Sequence, residues 1–431
     1  MPDLIPQLLP KIETFRLPLI SLDPLAIYPN YQGGTTLASL PASICRWLDA
    51  DTFGLPPLTQ IYLDALDERY QRVILVLVDG LGLDWFLNYV ARERKKPAHE
   101  RIWSNLLPDA LLAPLTSIVP STTSSALTTL WTGETTLRHA ITGYESWLKE
   151  YGVVANMITH APMAFQGDNG SLRRAGFDPT NFLNLPTLGT HLEKFGVKTF
   201  AFLHAAIARS GLSAMHMPQV NVKSFRTTAD LWYSFSQFLS SENHERSYVY
   251  IYWGELDELS HLYRPDNERT YWEFEAFSRL FERFVRMVRQ NSKGRTLLIL
   301  TADHGEIATP RYSHYELKNH PDVMDCLVMA TGEARFAYLY VRPAREEKLQ
   351  RLFAERWGEH FRLYPTEQLL QAGLFGPGQP APRTLERIGD WVAIAQDDSY
   401  LWWANKENIL LGRHGALTRA EMLTPFIALP L

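Results

Sequence analysis

Two cysteines, Cys45 and Cys326, are all that this 431-residue chain contains. Thiols so far apart offer neither a disulfide framework nor the paired thiolates of a structural zinc site. They read as packing residues of a reducing compartment. Long apolar runs are missing too: no uninterrupted stretch approaches the roughly 18 residues that a membrane-spanning helix requires. The segment from Met1 to Gln7 lacks a basic stretch followed by an apolar one, so no secretory signal is expected and a cytoplasmic location is. Nor is basic charge in excess. The 42 Lys and Arg are outnumbered by 47 Asp and Glu, and the net charge of −5 argues against an extended nucleic-acid surface. A nucleotide substrate stays open, because a metal site supplies its own positive charge. Internal repeats and low-complexity tracts are also absent.

What is present is a globular pattern, with 46% hydrophobic and 21% charged residues, enough for one large domain or two ordinary ones. Short aliphatic runs at 73–78, 111–118, 153–158, 197–203, 247–253 and 296–301 alternate with amphipathic segments at 186–195, 227–240 and 268–290. Continuous apolar strands between helices imply an α/β fold with a mostly parallel central sheet covered on both faces. Residues 1–60 read as an N-terminal arm packed on the core, with a short helix at 40–48. Residues 61–330 form the core. Within 331–400 a small α+β subdomain is expected, with strands at 336–341, 361–364 and 391–395 and helices at 344–357 and 367–372. Residues 401–431 return to the core through Arg413-His414-Gly415.

Three of the apolar runs end in metal-binding side chains. The run 73–78 closes on Asp79-Gly80, the run 296–301 leads to Asp303-His304-Gly305, and 247–253 leads into Asp257 and, one helical turn later, His261. Functional residues of such sheets collect at the carboxyl ends of the strands. Singly, Asp79 reads better as a helix cap, and Asp257 could instead belong to an acidic helix start beside Glu255 and Glu258. Adjacent ionisable residues at the end of a buried strand are costly unless something pairs with them, and a carboxylate and imidazole four apart share one helical face. Together they point to one site binding a zinc-type ion through oxygen and nitrogen. The hydroxyl-rich segment from Ser121 to Ser125 ahead of Leu127–Gly133 is either an ordinary helix cap or a nucleophile at a helix N-terminus.

In this order the elements resemble the alkaline phosphatase superfamily, most closely its type I phosphodiesterase/nucleotide pyrophosphatase branch: strand-Asp-Gly, a Thr in a Pro-Ser-x-Thr context ahead of Thr132-Gly133, Asp-x-x-x-His, Asp-His-Gly and a late His-Gly. The likeness covers about 70–305 and again about 410–431. It implies two divalent cations, zinc with manganese as the other choice. One would be held by Asp257, His261 and His414, the other by Asp79, Asp303, His304 and the oxygen of the nucleophile. Spacing back from Thr132-Gly133 selects Thr123 as that nucleophile, with Thr122 second. The implied reaction is a two-step in-line displacement on a small phosphate ester or nucleotide. No arginine stands beside Thr123, which favours a diester over a monoester dianion. Ala126 provides no side-chain donor, so Ser124, Ser125 or a backbone N–H is expected to hold a phosphate oxygen. Tyr144 or Trp147 could stack on a base or aromatic leaving group, core packing being the other role for each. The alternatives carried forward are a monoesterase or phosphomutase of the same fold and a non-catalytic metal-binding scaffold.

Overall fold

The computed structural model describes residues 1–66, 69–164, 169–241, 246–292 and 294–431. Sixteen strands occur among them: β1 (Arg72–Val78), β2 (Leu111–Thr116), β3 (Glu145–Leu148), β4 (Val153–Asn156), β5 (Ala161–Pro162), β6 (Lys198–His204), β7 (Asn221–Phe225), β8 (Ser247–Trp253), β9 (Thr296–Thr301), β10 (Ile307–Ala308), β11 (Leu327–Glu333), β12 (Phe336–Val341), β13 (Phe361–Pro365), β14 (Trp391–Ala395), β15 (Gly412–Arg413) and β16 (Leu423–Pro430). Seven of them form the central sheet in the order β2-β16-β9-β1-β8-β6-β7. The pairs from β9 to β7 are parallel, and β16 runs antiparallel to both β9 and β2.

β1 explains the layering. All six residues from Val73 to Val78 are completely buried, as aliphatic side chains on a sheet covered on both faces must be. Val73, Leu75 and Leu77 pack with the helices Leu40–Trp47, Thr123–Thr132 and Leu188–Glu193. Ile74, Val76 and Val78 face the opposite layer, built by Leu83–Glu93, Thr228–Ser241 and Glu268–Ser292. The two-residue alternation of a strand divides one apolar run between two cores. None of the described helices is long and apolar enough to cross a membrane.

The expected central strands need two adjustments. The run at 153–158 is β4, which belongs to a second, wholly antiparallel sheet of order β13-β14-β12-β11-β3-β4-β5. Only four residues separate β3 from β4, a hairpin length, whereas a parallel partner needs a crossover of about a dozen. β2 sits at the edge of the central sheet and pairs only with the antiparallel β16. β7 was not apparent in the sequence because it is an edge strand whose first four residues are exposed. The sheet of the 331–400 segment is completed by β3–β5 and by β11, which begins at Leu327. The first 60 residues contain the helices Ile5–Thr14 and Leu40–Trp47 and close the free edge of β2, where Leu4 N donates to Leu112 O (2.8 Å) and Thr116 N to Thr35 O (2.9 Å).

Candidate active site

Parallel register brings the site together. Val78 on β1 is level with Trp253 on β8, and Leu77 with Thr301 on β9, so three strands end side by side. Asp79 leaves β1 with its N–H donated to Trp253 O at 2.9 Å. Gly80 then turns with φ +75°, and a Cβ there would lie 3.2 Å from the Asp257 Cα. Only glycine supplies that turn while letting the Asp257 helix, Glu255–Tyr263, approach so closely. Asp303 and His304 follow β9 on the other side.

Thr123 is the first residue of the buried helix Thr123–Thr132, entered from β2 through residues 117–122 and closed by the left-handed Gly133. Its Oγ1 lies 3.3 Å from Asp79 Oδ2 and 3.2 Å from His304 Nε2. His304 Nε2 in turn is 3.4 Å from Asp79 Oδ1 and 3.5 Å from Asp303 Oδ2. The Tyr252 hydroxyl donates to Asp79 Oδ2 from the end of β8. No side chain caps the helix, which leaves its N-terminus available to an anion.

The second cluster forms beside the first. β10 and β15 pair antiparallel, Ile307 opposite Arg413, so Glu306 just before one strand meets His414 just after the other. Asp257 Oδ1 is 3.5 Å from His261 Nε2 and 3.8 Å from His414 Nε2. Glu306 Oε1 is 3.5 Å from His261 Nδ1. The His304 and His414 rings stack at 3.8 Å and join the two clusters. Each histidine sets Nδ1 against a backbone carbonyl: His261 on Gly412 O (2.9 Å), His414 on Ser121 O (2.9 Å) and His304 on Gly305 O (3.1 Å). A carbonyl only accepts, so Nδ1 carries the proton and, in the neutral ring, Nε2 presents its lone pair.

This is a donor set that fits divalent cations. Asp257, His261, Glu306 and His414 form one group, and Asp79, Asp303 and His304 another, each with its ligand atoms within 4.8 Å of one another. Asp79 Oδ1, Asp257 Oδ1, Asp303 Oδ2 and both Glu306 oxygens are buried without a hydrogen-bond partner. Buried carboxylates so placed need positive charge. Burial, then the charges of Asp303 and Asp257, raise Asp79; burial above all raises Asp303 and Glu306. Burial pushes Asp257 upward too, but His261 and His414 overcome it and hold this carboxyl at about 2.

A cavity of about 360 Å³ opens over Thr122, Thr123, Asp257, His261 and His414 and is walled by Tyr144, Glu333, Trp402 and Trp403. A second cavity of about 690 Å³ adjoins it across Tyr144, Glu145, Trp403 and Lys406. Of the residues the sequence suggested for the substrate, Tyr144 lines both cavities. Ser124 lines neither: it is completely buried, its hydroxyl without a partner, because one step along the helix rotates a side chain away from the face that Thr123 presents. Ser125 donates to Ile141 O at 2.7 Å. Trp147, on β3, lines neither cavity. Glu306, Tyr252 and Glu333 were missed. Glu306 follows His304 by two residues, and that proximity was the only signal it gave.

Loops on both sides are tied by a buried ion pair. Arg335 donates to Glu421 through Nε (2.7 Å) and Nη2 (2.9 Å), with both side chains fully buried. Glu421 also accepts from Ala416 N at 2.9 Å, and its carbonyl from Gly305 N at 2.8 Å. Arg335→Met strands that carboxylate and is expected to cost about 3–5 kcal/mol. An unchanged urea midpoint would show that the pair contributes no stability.

Among solved structures, murine ectonucleotide pyrophosphatase / phosphodiesterase 5 is similar, with TM-score 0.62 at 15% identity over 83% of this chain and 87% of that one. An inactive form of it in complex with AMP gives 0.61 at 15% identity over 83% and 87%. Phosphonoacetate hydrolase from Sinorhizobium meliloti, in complex with phosphonoformate, gives 0.56 at 18% identity over 82% and 89%. No curated protein matches the sequence. At such identities these neighbours speak for the fold, whereas a family model matches the sequence itself across residues 73–417. Between them, that match and the clustered carboxylates and histidines place the chain in the type I phosphodiesterase / nucleotide pyrophosphatase family of the alkaline phosphatase superfamily, as a hydrolase of phosphoric esters.

Proposed function

We propose that the protein cleaves small phosphodiesters or nucleotide pyrophosphates, with Thr123 as nucleophile and two divalent cations as cofactors. The observation that carries this reading is the position of Thr123 Oγ1, 3.3 Å from Asp79 and 3.2 Å from His304 at an uncapped helix N-terminus. Asp257, His261 and His414, joined by Glu306, would hold one cation; Asp79, Asp303, His304 and the Thr123 oxygen would hold the other. Oxygen and nitrogen ligands suit zinc, and manganese is accommodated by the same set. When bound, the cations supply charge that favours an ionised hydroxyl and draws in phosphate.

Thr123 Oγ1 attacks phosphorus, the leaving oxygen departs from the opposite side, and water then cleaves the threonine phosphate ester. The helix N-terminus favours the phosphate's negative charge throughout. Apart from histidines, Lys406 is the only basic side chain among the described residues of the inner cavity. A wall with so little fixed positive charge suits a diester better than a monoester dianion. AMP and phosphonoformate, bound by the two structural neighbours, set the scale of ligand expected. A cytoplasmic location belongs to the same reading, in keeping with the unpaired, buried Cys45 and Cys326.

The test is a rate comparison on a nitrophenyl diester, a dinucleotide pyrophosphate and a nitrophenyl monoester, with added zinc or manganese. The diester or pyrophosphate is expected to be cleaved fastest. A monoester preference would move the assignment to the monoesterase alternative, and no turnover with either cation would leave a metal-binding scaffold.

A further inference from the structure

The hydroxyls expected to hold a phosphate oxygen are turned elsewhere, yet the cavity wall beside Thr123 carries one polar group with an unspent position. Glu333 ends β11, where Gly332 pairs with Glu145 and so sets Glu333 alongside Tyr144. Its Oε1 accepts twice, from Thr122 Oγ1 at 2.6 Å and from Tyr144 N at 2.7 Å. Thr122 is the residue before the nucleophile, and its hydroxyl is drawn to Glu333 instead of capping the helix. Among the described residues Oε2 has no hydrogen-bond partner, although the side chain forms part of the cavity wall. A carboxyl whose one oxygen accepts two hydrogen bonds carries any proton on the other.

We propose that Glu333 is a catalytic residue: in its neutral form it donates a hydrogen bond from Oε2 to a phosphoryl oxygen of the ester seated on Thr123. This rests on the phosphate-ester reading above. Burial pushes the Glu333 carboxyl up to about 8, and the neighbouring charges of Glu145 and Asp257 act in the same direction against the two hydrogen bonds it accepts. Held this way, the side chain acts as a preorganised donor where negative charge gathers in the transition state.

Wild-type protein, Glu333→Ala and Glu333→Gln are compared on bis-p-nitrophenyl phosphate, with inorganic phosphate as the competing ligand and bound metal measured in each. E333A is expected to lower kcat/KM about 100-fold and to weaken phosphate inhibition about tenfold, at unchanged metal content. In E333Q the amide oxygen can keep the bonds from Thr122 and Tyr144 while the nitrogen donates, so this variant is expected to restore most of both losses. E333Q as impaired as E333A overturns the proposal, since the negative charge would then be what matters. E333A with wild-type rate and inhibition overturns it as well. If E333A does not fold, E333Q decides by itself, and a loss beyond about tenfold counts against the proposal. Wild-type protein that hydrolyses no phosphate ester overturns the functional reading, and the proposal with it.

Discussion

Thr123→Ala is expected to remove turnover of a phosphodiester almost completely, by about 10⁴-fold or more, while the protein keeps its metal. The magnitude follows from where the hydroxyl sits. Thr123 opens its helix beside Asp79 and His304, and its neighbours offer no substitute: Ser124 is completely buried, Ser125 is bonded to Ile141 O, and Thr122 is bonded to Glu333. Six other side chains would supply the cation ligands besides Thr123, with Glu306 as a seventh, so loss of one hydroxyl should leave both clusters intact. Kinetics on bis-p-nitrophenyl phosphate together with elemental analysis read both quantities. Near-normal activity would mean that another group attacks phosphorus, and loss of metal would mean that Thr123 holds the centre together.

Stripping the cations is expected to invert the pH dependence of stability. In the cation-free protein Asp79, Asp303 and Glu306 have raised pKa values, first through burial and then through like charges that face them. The folded state therefore binds more protons than the unfolded chain above the ordinary carboxylate range. Its stability is highest on the acid side of that interval and falls as pH rises through the raised values. Asp257, held at about 2 with burial opposed by His261 and His414, acts in the opposite sense: it contributes stability above its unfolded value that is lost as pH falls toward 2. Between pH 5.5 and 8 Asp257 stays ionised in both states, and His414, lowered by burial, opposes the three raised carboxyls only below the ordinary imidazole range, so the carboxyls set the slope. After EDTA, the melting temperature is expected to be lower at about pH 8 than at about pH 5.5. Zinc or manganese at 100- to 1,000-fold above its Kd should add about 3–4 kcal/mol, with the larger effect at the higher pH. A stripped protein that melts alike at both values would show that these carboxylates are neutralised by something other than cations.

How far the site could be read in advance differs from residue to residue. Asp79, Asp303 and His304 were legible because charge directly after a fully apolar strand is expensive, and Asp257 and His261 because four-residue spacing puts them on one helical face. His414 offered no such local signal, and its assignment came from the order of motifs. Glu306 went unremarked in the sequence; the β10–β15 pairing sets it opposite His414. Glu333 lies 211 residues from Thr122, its hydrogen-bond partner, at the end of a strand that contains Thr331 and Gly332 and shows no clean alternation.

By itself the sequence determined the α/β alternation, the helical layers and the strand ends that carry ionisable side chains. These are set by local periodicity and by the cost of burying charge, both of which act over a few residues. Only the tertiary structure decided that β4 joins the second sheet, that Ser124 turns inward, and that Glu306 and Glu333 reach the centre. The physical reason is that pairing partners and side-chain directions depend on contacts between distant segments, and a strand carries no mark of which neighbour it will meet.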